Sequence, residues 1–201
     1  EMLLMMWEWG MHIIPCGSPS EMVPQYFRNR NPFAEEDELK RKWAKTPRMN
    51  WRNYQKIQPS REEITQWHKQ YPHANWAAIT GINFVVVDSD SNESTQWIQD
   101  GNISSTPMTQ SSPSGGRHFF YSAPTNRVVR NSVGQNKIDV RGEGGYIMVV
   151  PSYNYRMQYD DSFLINDFDE LPLLTEEDIQ KVFSFNNDGK EVSLREKLTE
   201  E

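Results

Sequence analysis

The chain has 201 residues, of which 36% are hydrophobic and 12% aromatic, so it can bury the core of one compact domain and is not disordered throughout. Its single cysteine, Cys16, excludes a disulfide framework, and with only four scattered histidines it excludes a cysteine-rich zinc site. The net charge of −7 argues against a tight stand-alone nucleic-acid binder, but 13 acidic and four basic residues lie in 157–201, against 15 acidic and 17 basic in 1–156.

The first 16 residues are apolar, but Glu1 and Glu8 interrupt them and no basic segment precedes them. This pattern predicts a helix that leads into a strand rather than a signal peptide. No segment approaches the roughly 20 apolar residues of a membrane span, and a lone cysteine is typical of reducing compartments, so we expect a cytoplasmic protein that contacts no membrane. Because the chain starts at Glu1 and ends in a charged helical stretch, we expect it to be a fragment.

A charged segment at about residues 25–42 comes next, and residues 26–56 contain nine basic and four acidic side chains. Ser60 and Glu63 then form a capping-box pattern that predicts a helix over 61–70, with Ile64 and Trp67 on its apolar face. A strand over 77–79 leads to the apolar run 84–87, which is typical of a central strand buried on both faces. Asn92 and Ser94 are predicted to cap a short helix that ends at Gly101.

Four further strands are predicted, at 107–110, 118–121, 137–140 and 146–150, separated by turns rich in Gly, Ser and Pro. Thr175 and Asp178 predict the start of a helix that runs to about residue 185. Hairpin-like strands dominate the later part, so the order favours an α+β fold over a doubly wound sheet. We predict one main domain over 1–172 and an acidic helical extension over 173–201.

Two carboxylates, Asp88 and Asp90, follow the strongest strand signal in the chain. Residues i and i+2 of a strand share a face, with Cα atoms about 6 to 7 Å apart. Two such carboxylates repel each other unless a cation lies between them, and oxygen-only ligands favour Mg²⁺ or Mn²⁺. An EF-hand loop is excluded, because its required Gly and Glu positions hold Glu93 and Gln99. A plain strand-ending turn is the alternative.

A loop of small residues, 111–118, leads into the predicted strand at 118–121. Its backbone N–H groups and hydroxyls are of the kind that surround phosphate oxygens, and Arg117 and His118 add donors at its exit. Alternation puts Arg117 and His118 on opposite faces, so we expect at most one of them to face a site squarely. An ordinary Ser/Gly hairpin turn is the more common structure for such a loop.

Asp139 is unusual because Ile and Val flank it in a predicted strand, and a buried carboxylate needs a partner. One interpretation is an ion pair with Arg141, which alternation puts on the same face. The other is a third metal ligand beside Asp88 and Asp90, with Gly142, Gly144 and Gly145 forming a hairpin that a ligand can approach closely. Three carboxylates with a phosphate-binding loop would suit two-metal phosphoryl transfer.

These motifs, in this order, resemble the prim-pol branch of the archaeo-eukaryotic primase superfamily, the bifunctional DNA primase/polymerase domain of phage, plasmid and mobile-element replication proteins. The resemblance covers about residues 9–152. It begins with Trp9 and Gly10, continues with Lys45-Thr46-Pro47 and Trp51, and is most specific at three motifs: Asp88-Ser89-Asp90, residues 114–118 (Ser-Gly-Gly-Arg-His), and Asp139-Val140-Arg141-Gly142 through Pro151-Ser152. The charged segment at 25–42 stands where the family has a short link.

The resemblance implies a catalytic core with an RRM-like mixed or antiparallel sheet beside a small N-terminal α/β unit. It implies that Asp88, Asp90 and Asp139 bind two Mg²⁺ or Mn²⁺ ions, with no zinc. It also implies a nucleotide site whose members are Lys45, Ser114, Gly115, Gly116, Arg117, His118 and Arg141. The expected partners are a single-stranded DNA template, a primer and NTP or dNTP, with a helicase domain in a longer protein.

Two other functions remain open from the sequence. An inactive primase-like module that binds DNA for a replication protein would agree with the acidic charge, although it would not need all three acids. A metal-dependent nucleotide-sugar transferase would explain Asp88 and Asp90 but not the loop at 114–118. A buried structural role is the alternative for His118.

Overall fold

The computed structural model describes residues 1–132, 138–154, 156–159 and 168–187. Within these ranges the chain is an α+β protein, as predicted. Its helices are α1 (Met2–Glu8), α2 (Gln25–Arg30), α3 (Glu36–Ala44), α4 (Arg61–Gln70), α5 (Asn92–Trp97) and α6 (Glu176–Asn187). Its strands are β1 (Ile13–Pro15), β2 (Trp76–Ile79), β3 (Phe84–Ser89), β4 (Met108–Ser111), β5 (Arg117–Ser122), β6 (Ile138–Arg141), β7 (Tyr146–Val149) and β8 (Arg156–Tyr159). None of the helices described is long and apolar enough to cross a membrane.

The strands form two antiparallel sheets. A three-stranded sheet has the order β1-β2-β7, and a five-stranded sheet has the order β6-β3-β5-β4-β8. The strand β3 is therefore internal, as its continuous apolar run predicts, and all six of its residues are buried. Its neighbours in the sheet come from later in the chain.

Local signals placed several elements correctly. The Ser60–Glu63 capping box is present in both directions and starts α4 at Arg61, while Ile64 and Trp67 are buried. The cap of α5 differs by one residue, because the side chain of Ser91, not Asn92, accepts the hydrogen bond from the backbone of Ser94. The predicted strand at 137–140 begins at Ile138, and residue 137 lies outside the described residues.

The charged segment at 25–42 forms two helices, α2 and α3, which the sequence analysis did not predict. Most side chains of α3 are charged, but Leu39 and Trp43 are buried, and together with Val23 they form a small separate core. Gly17 allows this packing, because a Cβ atom there would lie 2.3 Å from the carbonyl oxygen of Trp43. Strand β8 was also not predicted.

Two hydrophobic cores lie on opposite faces of the five-stranded sheet. Phe84, Val86 and Phe120 point into the larger core, which they share with the three-stranded sheet, α1 and α4. Val85, Val87 and Phe119 point into the second core. This alternation puts Asp88 on the same face as Phe84 and Val86, at the end where the apolar side chains stop.

The helix α6 packs on the second core through Ile179 and Val182, and Leu174 precedes it there. The N-terminus of α6 is fixed by Asp178 in its first turn. The Asp178 carboxylate accepts hydrogen bonds from the backbone and hydroxyl of Thr175 (3.0 and 2.8 Å) and of Ser104 (3.0 and 2.9 Å). Residues 173–187, which we assigned to an extension, thus share a core with β3, β5 and β6. Residues 188–201 lie outside the described residues.

Candidate functional site

A row of four polar side chains crosses the five-stranded sheet where its apolar face ends. Asp88 of β3 lies opposite Asp139 of β6 on one side and opposite His118 of β5 on the other. His118 in turn lies opposite Gln110 of β4. All four are buried, with Gln110 0% and Asp139 3% exposed. We call Asp139, Asp88, His118 and Gln110 the polar row; its members share one face because directly paired residues of neighbouring strands do.

Arg141 bridges the two carboxylates of the row and offsets part of their negative charge. Its Nη2 atom lies 2.5 Å from Oδ2 of Asp139 and 3.3 Å from Oδ2 of Asp88. Both interpretations of Asp139 predicted that it needs a positive charge, and the structure contains the ion pair with Arg141 expected from alternation. An arginine between two opposed carboxylates occupies the place where a cation is required.

The pKa of Asp88 is held below its ordinary value. Burial by itself raises the pKa of this carboxyl, but the hydrogen bond from His118, whose Nε2 lies 3.3 Å from Oδ1, and the charge and hydrogen bond of Arg141 outweigh burial. Asp88 is therefore ionised at neutral pH.

Asp90 lies at the surface, where β3 has ended. Partial desolvation and then the negative charge of Asp88 raise its pKa, while the positive charges of Arg141 and Lys45 act in the opposite direction.

A cavity of about 260 Å³ opens over the row and is lined by charged and aromatic side chains. The lining residues with polar or charged side chains, which could contact a ligand, are Lys45, Asp88, His118, Asn131, Arg141 and Tyr146. Lys45, His118 and Arg141 bring donors for an anion to the same wall as a carboxylate. We call this space the first cavity.

Lys45 reaches the first cavity because the end of α3 is fixed to the three-stranded sheet. Asn75 donates from Nδ2 to the carbonyl of Ala44 (3.1 Å), and the hydroxyl of Tyr146 donates to the carbonyl of Lys45 itself (3.1 Å). Arg48, three residues on, donates to the carbonyl of Cys16 (2.8 Å) and stacks 4.5 Å above the ring of Tyr71. The helix α3, which continues the charged segment at 25–42, therefore brings Lys45 to the first cavity.

The loop before β5 is closed by backbone hydrogen bonds, from Ser112 to the carbonyl of Gly116 (2.9 Å) and from Gly115 to the carbonyl of Ser112 (3.1 Å). Gly116 packs against the end of β3, where a Cβ atom would lie 2.2 Å from the carbonyl oxygen of Ser89. The loop is thus a hairpin turn, which was the alternative to a phosphate-binding loop. It is also fixed next to the end of β3, where Asp88 and Asp90 lie.

Ser114 lines a second cavity, of about 390 Å³, which has Lys45 in common with the first. Arg41 of α3 and Tyr153, which is 65% exposed, lie in its wall. The two cavities form one neighbourhood, with Lys45 between them. We refer to the space at Ser114, Arg41 and Tyr153 as the second cavity.

Arg117 does not share this neighbourhood. Its Nη1 atom donates to the hydroxyl of Thr109 (3.1 Å), on the face of β5 opposite to His118. Alternation along β5 predicts that at most one of the two residues faces the site, and that residue is His118. Arg117 lines neither cavity in the part of the chain that the structure describes.

Five residues of the polar row and the two cavities were not predicted from the sequence: Gln110, Asn131, Arg41, Tyr146 and Tyr153. For Gln110 a signal existed, because it alternates with buried Met108 and so puts an amide on an apolar face. Asn131 sits in an irregular segment and has no periodic signal. Arg41 and Tyr153 become relevant only through tertiary packing.

Comparison with family models gave a match over most of the chain. The model of the bifunctional DNA primase/polymerase N-terminal domain, Prim-Pol, matches residues 3–173. The chain belongs to the Prim-Pol family. Comparison with curated proteins gave no match.

Membership in Prim-Pol implies DNA primase or polymerase activity in broad terms. The match ends at residue 173, whereas the packed core of this Prim-Pol domain continues through α6. The three predicted motifs contribute Asp88, His118 and Asp139 to the polar row.

The donor chemistry of the Prim-Pol site fits a hard divalent cation, since two opposed carboxylates already hold a positive group between them. Among the residues described, no three His, Cys, Asp or Glu side chains are grouped to hold a metal ion as they stand. Binding of a metal by Asp88 and Asp139 therefore requires the guanidinium of Arg141 to withdraw from them.

Proposed function

We propose that this Prim-Pol domain catalyses template-directed nucleotidyl transfer, as a DNA primase and polymerase in the replication of a phage, plasmid or mobile element. The observation that carries the proposal is the polar row, in which residues from three separate motifs lie side by side on neighbouring strands. Asp88 and His118 of the row line the first cavity, together with Arg141. A two-metal reaction needs such convergent carboxylates beside donors for phosphate. We propose a cytoplasmic site of action and a helicase domain in a longer protein.

In this proposal Asp88, Asp90 and Asp139 hold two Mg²⁺ or Mn²⁺ ions. When bound, these ions would lower the pKa of the primer 3′-hydroxyl and stabilise negative charge on the α-phosphate. The charge of the three carboxylates is the chain's own contribution, and Arg141 offsets part of it at Asp88 and Asp139 before the ions bind. Once it leaves the carboxylates, Arg141 is available to the phosphates of the nucleotide.

Basic side chains and hydrogen-bond donors at both cavities would bind the phosphate groups of the substrates that the metal ions do not contact. His118 and Lys45 face the first cavity and would hold the triphosphate of an NTP or dNTP. Ser114 with the backbone of Gly115 and Gly116 would complete this contact. Arg41 and the other basic residues of 26–56 would contact the single-stranded template and primer through their phosphates.

Primer extension on a labelled template tests the proposal, with Mg²⁺ or Mn²⁺ supplied. We expect Asp88→Asn and Asp139→Asn each to reduce nucleotide incorporation at least about 100-fold. Each variant removes the negative charge of a carboxylate that would bind the metal ions in the transition state. Asp100→Asn is the matched control, since it makes the same change at an exposed carboxylate of the turn after α5. Wild-type rates in both site variants would refute the assignment.

One observation favours a second candidate, an inactive DNA-binding module. Arg141 already satisfies Asp88 and Asp139, so the carboxylates are stable without a metal ion. This candidate predicts that the wild-type chain binds single-stranded DNA but incorporates no nucleotide with Mn²⁺. Incorporation above the level of Asp88→Asn would exclude it.

A further inference from the structure

Gln110 is fixed by two backbone groups of the strand β7 and the residue after it. It is fully buried, its Oε1 atom accepts from the backbone N–H of Val150 (3.1 Å), and its Nε2 atom donates to the carbonyl of Met148 (2.7 Å). An N–H group can only donate and a carbonyl can only accept, so the two contacts determine which end of the amide is oxygen and which is nitrogen.

The same Nε2 atom lies 2.9 Å from Nδ1 of His118. A primary amide has two N–H hydrogens, and one of them is used by Met148. The second points to Nδ1, which must accept it and therefore carries no hydrogen. A neutral imidazole has one N–H, so in His118 that hydrogen is on Nε2, the atom 3.3 Å from Oδ1 of Asp88.

We infer that Gln110 is a positioning residue that holds His118 in the Nε2–H tautomer and directs this hydrogen to Asp88, at the wall of the first cavity. The inference needs only the contacts of Gln110; its consequence for substrate rests on the proposed function. In the Nε2–H tautomer His118 presents a donor to a triphosphate oxygen, whereas the other tautomer would present a lone pair to an anion.

The motif at 114–118 does not itself include the hydrogen bond from Gln110 to His118. Gln110 lies outside the loop 114–118, and it reaches His118 only because β4 pairs with β5 in the register that sets the two residues opposite each other. The hydrogen bonds to Met148 and Val150 also join the two sheets at the polar end. Thus the packing between the sheets fixes the side chain that in turn fixes the histidine.

The wild-type chain provides the first test, by NMR of protein labelled with ¹⁵N in histidine, without nucleotide or metal. At alkaline pH the two ring nitrogens of a neutral imidazole have distinct shifts, and a His118→Asn sample assigns the signals of His118 among the four histidines. We expect the hydrogen on Nε2. A ring with its hydrogen on Nδ1 would overturn the inference, with no variant needed.

The variant Gln110→Glu provides the second test, because it has nearly the same shape but offers no hydrogen to Nδ1. We expect the ring hydrogen to move to Nδ1 and the KM for the incoming nucleotide to rise about tenfold or more, as for loss of one charge-assisted hydrogen bond. Gln66→Glu is the control, since it adds the same charge at an exposed position of α4 and should leave KM unchanged. A folded Gln110→Glu that keeps the Nε2–H tautomer would contradict the inference.

The two proposals fail separately. If His118 is in the Nε2–H tautomer but the wild-type chain incorporates no nucleotide, the proposed function is wrong and the tautomer assignment stands. If primer extension is normal but the hydrogen is on Nδ1, the inference is wrong and the proposed function stands.

Discussion

Arg141 determines the charge balance of the site at the scale of single residues. Its side chain is 24% exposed, and its guanidinium contacts two buried carboxylates on neighbouring strands. A buried ion pair adds little stability relative to apolar packing, but loss of one partner leaves uncompensated charge. Removal of Arg141 should therefore lower the free energy of unfolding by more than the ion pair itself contributes to it.

Arg141→Gln should lower the free energy of unfolding by about 3 kcal/mol at neutral pH, because Asp88 and Asp139 then face each other without a cation. We expect Mn²⁺ to raise the melting temperature of this variant more than that of the wild type, since the ion no longer competes with the guanidinium. Thermal unfolding with and without MnCl₂ measures both effects.

Arg52→Gln is the control for this experiment, because Arg52 is exposed and lies in a short 3₁₀ helix away from the polar row in sequence. It should behave as the wild type. Equal responses of Arg141→Gln and wild type to Mn²⁺ would show that the carboxylates bind no ion in place of the arginine.

At the scale of elements, α6 depends on a carboxylate that has nothing to do with the cavity. Asp178 accepts four hydrogen bonds, from the backbone and hydroxyl of Thr175 and of Ser104. The first pair caps the helix and the second ties it to the segment before β4. The element is thus fixed at its N-terminus by polar contacts and along its length by Ile179 and Val182.

Asp178→Asn should lower the free energy of unfolding at pH 7 by about 1 to 3 kcal/mol, because an amide oxygen replaces an ionised acceptor. Burial raises the pKa of Asp178, but the hydrogen bonds from Thr175 and Ser104 outweigh it and the folded-state pKa is below the ordinary value. Its contribution is therefore complete above the unfolded-state value of about 3.9 and is lost as the pH falls through the folded-state pKa. Urea unfolding at a series of pH values measures this.

Glu177→Gln serves as the neighbouring control, because Glu177 is exposed and pairs with Lys181 one turn on. It should cost a few tenths of a kcal/mol at most. The prediction for Asp178 fails if the two variants lose the same stability at pH 7 and keep the same dependence on pH.

At the scale of the whole molecule, the five-stranded sheet needs cover on both faces. The larger core and the three-stranded sheet cover one face, and α6 with α5 covers the other. The family match ends near residue 173, but Leu174, Ile179 and Val182 are buried beyond it. The sheet that carries the polar row is therefore covered on its opposite face by residues after the matched region.

A chain that ends at residue 172 should lose at least about 5 kcal/mol of stability, since three buried aliphatic side chains contribute about 1.5 to 3 kcal/mol each. This is comparable to the whole stability of a small domain, so we expect loss of cooperative unfolding. A chain that ends at residue 187 is the matched control and should unfold cooperatively. Urea denaturation followed by tryptophan fluorescence distinguishes them, and equal midpoints would contradict the role given to α6.

Local chemistry determined much of this protein in advance. The capping box at Ser60, the apolar run of β3 and the loop residues at 114–118 are short-range signals, and each lies in the element predicted for it. Alternation along one strand also predicted that Asp139 and Arg141 share a face and that Arg117 and His118 do not. Such signals are readable because they depend on neighbours within a few residues.

Tertiary structure alone decided which distant residues meet. Register between β4, β5, β3 and β6 set Gln110, His118, Asp88 and Asp139 in one row, and periodicity within a strand carries no information about the register of another strand. The helix α3 escaped prediction because most of its side chains are charged, and its burial of Leu39 and Trp43 depends on contacts with distant backbone. The residue types for the chemistry were thus present in the sequence, whereas their convergence depended on strand pairing.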